Sequence, residues 1–318
     1  MDFSLLISNL TNPTLLFFLL GIVAAVIKSD LEIPPSSSKF ISLYLLFSIG
    51  FKGGQELAHS GLNNEICFTL FIAVFFSIAV PLYTFFILKR KLSVENAGAI
   101  AATYGSVSAV TFLTATAFLE NLNIHYGGHM VASMALMESP AIIIAVLLMR
   151  RYSSDSTTSL KSLIHESFTN GSVLMIMGSL LIGIIADTKQ AEGIKPFTTD
   201  IFKGFLALFL LEMGMVAARR ISAFKSYGLF VSGFALVIPV INSFMCIFIT
   251  SYTSIEPGNR LLLAVLASSA SYIAVPAAMR QIAPQSDPGL YIPMALGITF
   301  PLNITLGLPI YWWLITNC

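Results

Sequence analysis

Ala101-Ala-Thr-Tyr-Gly-Ser-Val-Ser-Ala-Val-Thr-Phe112 and Ala267-Ser-Ser-Ala-Ser-Tyr-Ile-Ala-Val-Pro276 are the two stretches whose reading decides the fold. Each sits mid-way along an apolar run of about 20 residues, the length of a membrane-crossing helix. Both gather Gly, Ser, Thr or Pro where a lipid-facing helix would carry large aliphatic side chains. Asn96 opens the first run and Asn259 the second. Gly105-Ser-Val-Ser108-Ala-Val110 and Ser268-Ser-Ala-Ser271-Tyr-Ile273 then stand at one constant offset of 163 positions. A chain that writes an unusual span twice invites a search for a repeat.

Other matches keep the same order. Met134-Ala-Leu136 followed by Pro140 returns as Met294-Ala-Leu296 followed by Pro301, and Ser48-Ile-Gly50-Phe resembles Glu212-Met-Gly214-Met. Asp30 and Asp187 align the first span with the sixth. Residues 1–150 and 171–318 therefore read as two five-span repeats joined by a Ser- and Thr-rich linker over 151–170. An odd number of spans turns the second copy upside down in the membrane, and inverted repeats are a mark of secondary transporters.

Composition agrees with this class. Of 318 residues 56% are hydrophobic and 10% charged, and mean hydropathy is +0.84, whereas soluble domains carry about a quarter charged residues. Seventeen bases and sixteen acids cannot coat a globule of this size, which excludes a soluble enzyme or a disordered scaffold. A net charge of +1 gives no electrostatic case for nucleic acid. Cys67, Cys246 and Cys318 have neither metal spacing nor a disulfide framework.

The apolar segments lack period-2 alternation, so the expected fold is an all-α polytopic membrane protein rather than a barrel. Ten spans are expected, at 13–27, 38–58, 66–88, 95–119, 129–149, 171–187, 197–218, 226–250, 259–281 and 289–315. The first has no basic residues before it and no small-residue cleavage site, and reads as a retained span. Alternate loops divide the 17 Lys and Arg 12 to 5. The positive-inside rule then puts both termini outside and the linker in the cytoplasm. Trp312 and Trp313 fit membrane-surface anchors.

Pro276 can break or kink its helix, and unwound backbone at that depth must line a cavity or be buried in protein. The half-helix N-termini so created offer N–H groups and a positive dipole end to an anion. Hydroxyls of Ser106, Ser108, Ser269 and Ser271 stand beside them. With Gly105, Val107, Ser268, Ala270 and Tyr272 they form the expected substrate site; close helix packing through small residues is the other reading. Glu138, before Ser139-Pro140 in span five, is an expensive carboxylate unless an ion or proton pairs with it. Thr299 and Asn303, in the corresponding region of the second repeat, supply oxygen ligands, and Thr111 joins them as a candidate sodium site. The alternative is a carboxylate hydrogen-bonded at a helix kink. Glu212 and Lys52 could pair with each other or face water.

No Lys or Arg falls within the serine motifs, which suits a small monoanion better than a phosphate or dicarboxylate. Sodium carried with it would leave the loaded site neutral. No other metal and no cofactor is expected. No Walker loop, dinucleotide fingerprint or Gly-x-Ser-x-Gly appears, which argues against a primary pump and a hydrolase. His125-Tyr-Gly-Gly-His129 has metal-like spacing but no further ligands in its loop.

Gly105-Ser-Val-Ser-Ala-Val-Thr111, Glu138-Ser-Pro-Ala141 and Ala267-Ser-Ser-Ala-Ser-Tyr-Ile-Ala-Val-Pro276 together resemble the sodium-dependent bicarbonate transporter family of cyanobacteria and other bacteria. The resemblance covers nearly the whole chain. It implies a symporter of bicarbonate with sodium in the bacterial inner membrane, surrounded by lipid and assembled as a homotrimer. It further implies a gate domain (13–60 and 171–221) and a core domain (66–149 and 226–315) that moves as an elevator. A nitrogen-regulator-like protein inhibits cyanobacterial members from the cytoplasm. The chain departs from them in three places: Tyr272 stands where they carry an acid, Glu138 where they carry an aspartate, and its linker is shorter. Uptake of another organic monoanion, or a gated anion channel, remains an alternative to bicarbonate symport.

Overall fold

The structure is a computed structural model that describes residue 7 and residues 9–60, 63–152, 171–224 and 228–317. Most of the expected linker, from residue 153 to 170, lies outside the described residues. Every regular element among the described residues is helical. The helices that matter are α1 (Pro13–Val26), α2 (Pro35–Ser60), α3 (Asn64–Leu88), α4 (Val94–Gly105), α5 (Ala109–Asn121) and α6 (His129–Tyr152) in the first half. The second half holds α7 (Gly171–Ile185), α8 (Phe202–Phe224), α9 (Gly228–Ser251), α10 (Pro257–Ser268), α11 (Ala274–Ile282) and α12 (Pro288–Asn317).

Local sequence explains where these begin. Asn12 accepts from the Thr14 N–H with Pro13 at the first helical position, Asn63 accepts from Ile66, and Ser93 from Asn96. Each such oxygen satisfies an N–H that the first turn leaves without an intrahelical partner. Tyr152 extends α6 two residues past the expected end of the first repeat. Helix α12 contains two π-helical turns, Met294–Thr299 and Asn303–Gly307.

Among the described residues six runs are long and apolar enough to cross a membrane: Asn64–Leu88, Val94–Asn121, His129–Tyr152, Pro196–Arg219, Gly228–Ser251 and Pro288–Asn317. Two shorter apolar helices, α1 and α7, fall below that length. Burial separates these runs. In Val94–Asn121 94% of the apolar window is inside the protein, against 44% in Asn64–Leu88. The broken span is thus central and shielded, as its small polar residues require.

Packing pairs α1 with α8 and α2 with α7. Glycines set the distance. A Cβ on Gly21 would strike the Leu211 carbonyl oxygen, and one on Gly214 would strike that of Phe18. On the other pair, Gly183 faces the Phe51 carbonyl oxygen and Gly54 that of Leu180. These backbones touch directly, in the manner of small-residue seams between membrane helices. Around the broken spans, α3 packs on α4 and α6, and α9 on α10 and on the first π-helical turn of α12.

Candidate functional site

Both serine stretches interrupt their helices. The chain leaves α4 at Gly105 and starts α5 at Ala109; it leaves α10 at Ser268 and starts α11 at Ala274. Pro276 is not where the second break occurs. It occupies the first turn of α11, where its missing N–H costs nothing, and the interruption runs ahead of it over residues 269–273. Gly105 packs against Pro81 of α3, so close that a Cβ would lie 2.5 Å from the proline Cδ.

The two breaks hold each other. Ser271 donates its N–H to the Thr103 carbonyl oxygen at 2.8 Å. Ser108 donates its N–H to Ser269 Oγ at 3.0 Å, and that hydroxyl donates on to Leu266 O at 2.9 Å. Ser108 and Ser271 are 163 positions apart, as are Thr103 and Leu266. One link therefore occurs twice, directly in one half and relayed by Ser269 in the other. Ser106, the counterpart of Ser269, has a buried hydroxyl with no partner, as do Thr111 and Tyr272. Ser108 also caps α5 by accepting the Thr111 N–H at 3.2 Å.

A cavity of about 40 Å³ opens beside the breaks. Roughly 10–15 Å³ holds one water, so this is room for a few waters or a compact anion. Val107, Ser108, Ser271, Tyr272 and Glu138 line one side, together with the first residues of α5 and α11. Across from them stand Leu45 and Leu46 of α2, Ile176 of α7 and Phe209 of α8. Two half-helix N-termini and one carboxylate thus share a small cavity whose lining, among the described residues, contains no Lys or Arg.

Gly105, Ser106, Thr111, Ser268, Ser269 and Ala270 lie in the wall and do not line the cavity. Thr299 and Asn303 are likewise outside the lining, held by other bonds. Thr299 Oγ1 donates to Ala235 O at 2.8 Å and lies 2.8 Å from the Tyr104 hydroxyl. Asn303 Nδ2 donates to Ser268 O at 2.9 Å, and its Oδ1 accepts from Tyr311 at 3.0 Å. Ser268 O is one of the carbonyls that α10 orphans by ending there, so Asn303 secures the break from behind. Lys52 does not pair with Glu212. It reaches Glu120 Oε1 at 2.7 Å, a partner supplied by the end of α5 that sequence reasoning missed. His125 lies 3.2 Å from Glu256.

The family model of the Na+-dependent bicarbonate transporter superfamily matches residues 13–316. The chain belongs to this superfamily. Membership makes it a membrane-embedded transporter and not an enzyme, and implies Na+-dependent bicarbonate transport with sodium as the coupling ion. No curated protein matches the chain.

Within such a transporter, the two serines that precede the linked N–H groups have separable duties. Ser269→Ala would leave the Ser108 N–H without its acceptor, at a cost of about 1–3 kcal/mol, and should lower the thermal unfolding temperature in detergent. Ser106→Ala removes a hydroxyl that no other group uses, and should leave that temperature unchanged.

Proposed function

We propose that the chain is a symporter that imports bicarbonate together with sodium across a bacterial inner membrane, by an elevator-type alternation between two inverted five-span repeats. The observation that carries this reading is the cavity at the crossed breaks. Two positive helix ends and the Ser108 and Ser271 residues face it beside the Glu138 carboxylate. An anion there is attracted by dipoles and hydroxyls, and repelled by Glu138 unless a cation sits between them. Sodium supplies that cation, with Glu138 its charged ligand and the Ser108 and Ser271 residues of the same lining its candidate neutral ones. The small volume favours bicarbonate over larger organic monoanions.

Several features support the wider architecture. The six candidate membrane spans and two shorter apolar helices among the described residues support a polytopic arrangement, which we take as ten spans. The pairing of α1 with α8 and α2 with α7 is what an inverted repeat produces, because each pair becomes the other when the halves are exchanged. These four helices make a gate, and the broken spans with α3, α6, α9 and α12 a core, so that the cavity lies on the seam between them. Both termini face outward in this arrangement.

Uptake of labelled bicarbonate into proteoliposomes, with sodium or choline outside, tests the proposal. Sodium is expected to raise the initial rate at least ten-fold. Equal uptake in both salts removes sodium coupling, and no uptake in either removes the cargo.

A further inference from the structure

Helix α5 starts at the cavity and ends, 13 residues and about 20 Å later, at Glu120 and Asn121. A carboxylate in the last turn of a helix opposes the negative end of its dipole, where cations are favoured instead. Two lysines from other helices answer it. Lys52 Nζ of α2 lies 2.7 Å from Glu120 Oε1, and Lys203 Nζ of α8 lies 3.8 Å from Oε2 and donates to Asn121 Oδ1 at 3.0 Å. Tyr126 donates to Glu120 Oε1 at 3.4 Å. The carboxylate thus ties the end of a core half-helix to both flanking gate helices at once.

Packing beside the tie is not tight. A gap of about 20 Å³ lies there, lined by Ser48, Ile49 and Lys52 of α2, by Thr198, Thr199 and Phe202 at the start of the α8 run, and from α5 by Glu120, and the buried Ser48 hydroxyl has no partner. Along α2 the cavity is lined at Ser42, Leu45 and Leu46 and the gap at Ser48, Ile49 and Lys52; along α5 the cavity is lined at Ala109, Val110 and Leu113 and the gap at Glu120. The tie therefore lies toward the carboxyl end of both helices, beyond the cavity. Charge pairs across a loose seam can be broken and remade, which apolar packing of the same area could not do without exposing its surface.

We propose that Glu120 is a clasp that holds the cavity shut toward the face carrying Lys52 and Lys203, and that its release from the two lysines is a required step of the transport cycle. The proposal rests on the gate-and-core reading above. Repeat symmetry does not supply a second clasp: the positions 163 residues on from Lys52 and Glu120 are Met215 and Ala283. The repeat therefore carries this pair in its first half only.

The test uses the full chain with Cys67→Ser, Cys246→Ala and Cys318→Ser, carrying Ser48→Cys as a reporter in the seam. Labelling by a membrane-impermeant maleimide reads opening and does not depend on the cargo, so it stands apart from the bicarbonate assay. Glu120→Gln should speed labelling roughly five-fold and Lys52→Gln roughly two-fold, in keeping with partly exposed ion pairs. The double variant should match Glu120→Gln alone, because one clasp is lost once. An unchanged rate in Glu120→Gln, or additive effects in the double variant, overturns the proposal. In a second arm, joining Lys52→Cys and Glu120→Cys with a short, reducible, bifunctional thiol reagent should cut uptake at least ten-fold, with recovery on reduction. Undiminished uptake by the cross-linked protein overturns it as well.

Discussion

Glu138→Gln abolishes the rise of uptake with external sodium, while uptake in choline stays at the wild-type level. The expected loss at saturating sodium is on the order of ten- to a hundred-fold. Among the described residues Glu138 is the only carboxylate lining the cavity, and no Lys or Arg lines it. Two like charges about 4 Å apart repel by about 4 kcal/mol at an effective dielectric constant near 20. An anion entering the wild-type cavity meets that repulsion unless a cation screens it, which is why affinity for the anion should climb with sodium. Glutamine keeps the shape and the hydrogen-bonding oxygen but removes the charged ligand, so sodium no longer binds and its gradient no longer drives uptake. A carboxylate that merely braced the helix at Pro140 would behave otherwise, since the amide could take over its hydrogen bond and the sodium curve would not move. Initial uptake rates against sodium concentration, at fixed bicarbonate, separate the two outcomes.

The paired breaks were legible because their cause is local. Small and hydroxyl-bearing residues at Gly105–Ser108 and Ser268–Ser271 are poor helix interiors in lipid, and repetition at one offset marked them as built features. Pro276 misled for the same reason that it stood out. A proline is easily read as the point of rupture, yet it is equally at home in the first turn of the helix that follows, and that is where it lies. The duties of individual oxygens were not legible. Whether Thr299 and Asn303 face a cavity or clamp Ala235 and Ser268 depends on the rotation of α12, which its π-helical turns alter. The far wall of the cavity, Leu45, Ile176 and Phe209, carries no chemical signal at all. Glu120 could have been found, since the expected topology puts it on the same face as Lys52 and Lys203; a topological ledger of charges, rather than a search within the spans, would have paired them.

Alanine at Gly21, Gly54, Gly183 or Gly214 is expected to destabilise the protein strongly. At each of these positions the new carbon would land on the backbone of the facing helix. A flexible side chain can move aside, but a carbonyl oxygen in a helix can do so only if the whole helix shifts, so the cost should reach the upper part of the roughly 1–3 kcal/mol typical of overpacking. For a chain of this size that corresponds to a fall in unfolding temperature on the order of 3–5 °C. Gly178, Gly204 and Gly233 provide the internal control. They too lie in helices, yet a Cβ there meets nothing within 4 Å, and alanine should be neutral or slightly stabilising through helix propensity alone. The comparison also bears on the repeat. Gly21 and Gly183 stand 162 positions apart, and Gly50 and Gly214 stand 164 apart. The α1–α8 contact uses Gly21 and Gly214; the α2–α7 contact uses their counterparts, Gly183 and Gly50, the latter with a Cβ 2.8 Å from Ile176 O. If the two halves are copies of one ancestral unit, the two seams should be matched in energy as well as in shape. Gly21→Ala and Gly183→Ala should then lower the unfolding temperature by similar amounts. Unequal shifts would mean that the glycines serve local packing in each half, without a shared origin in the repeat.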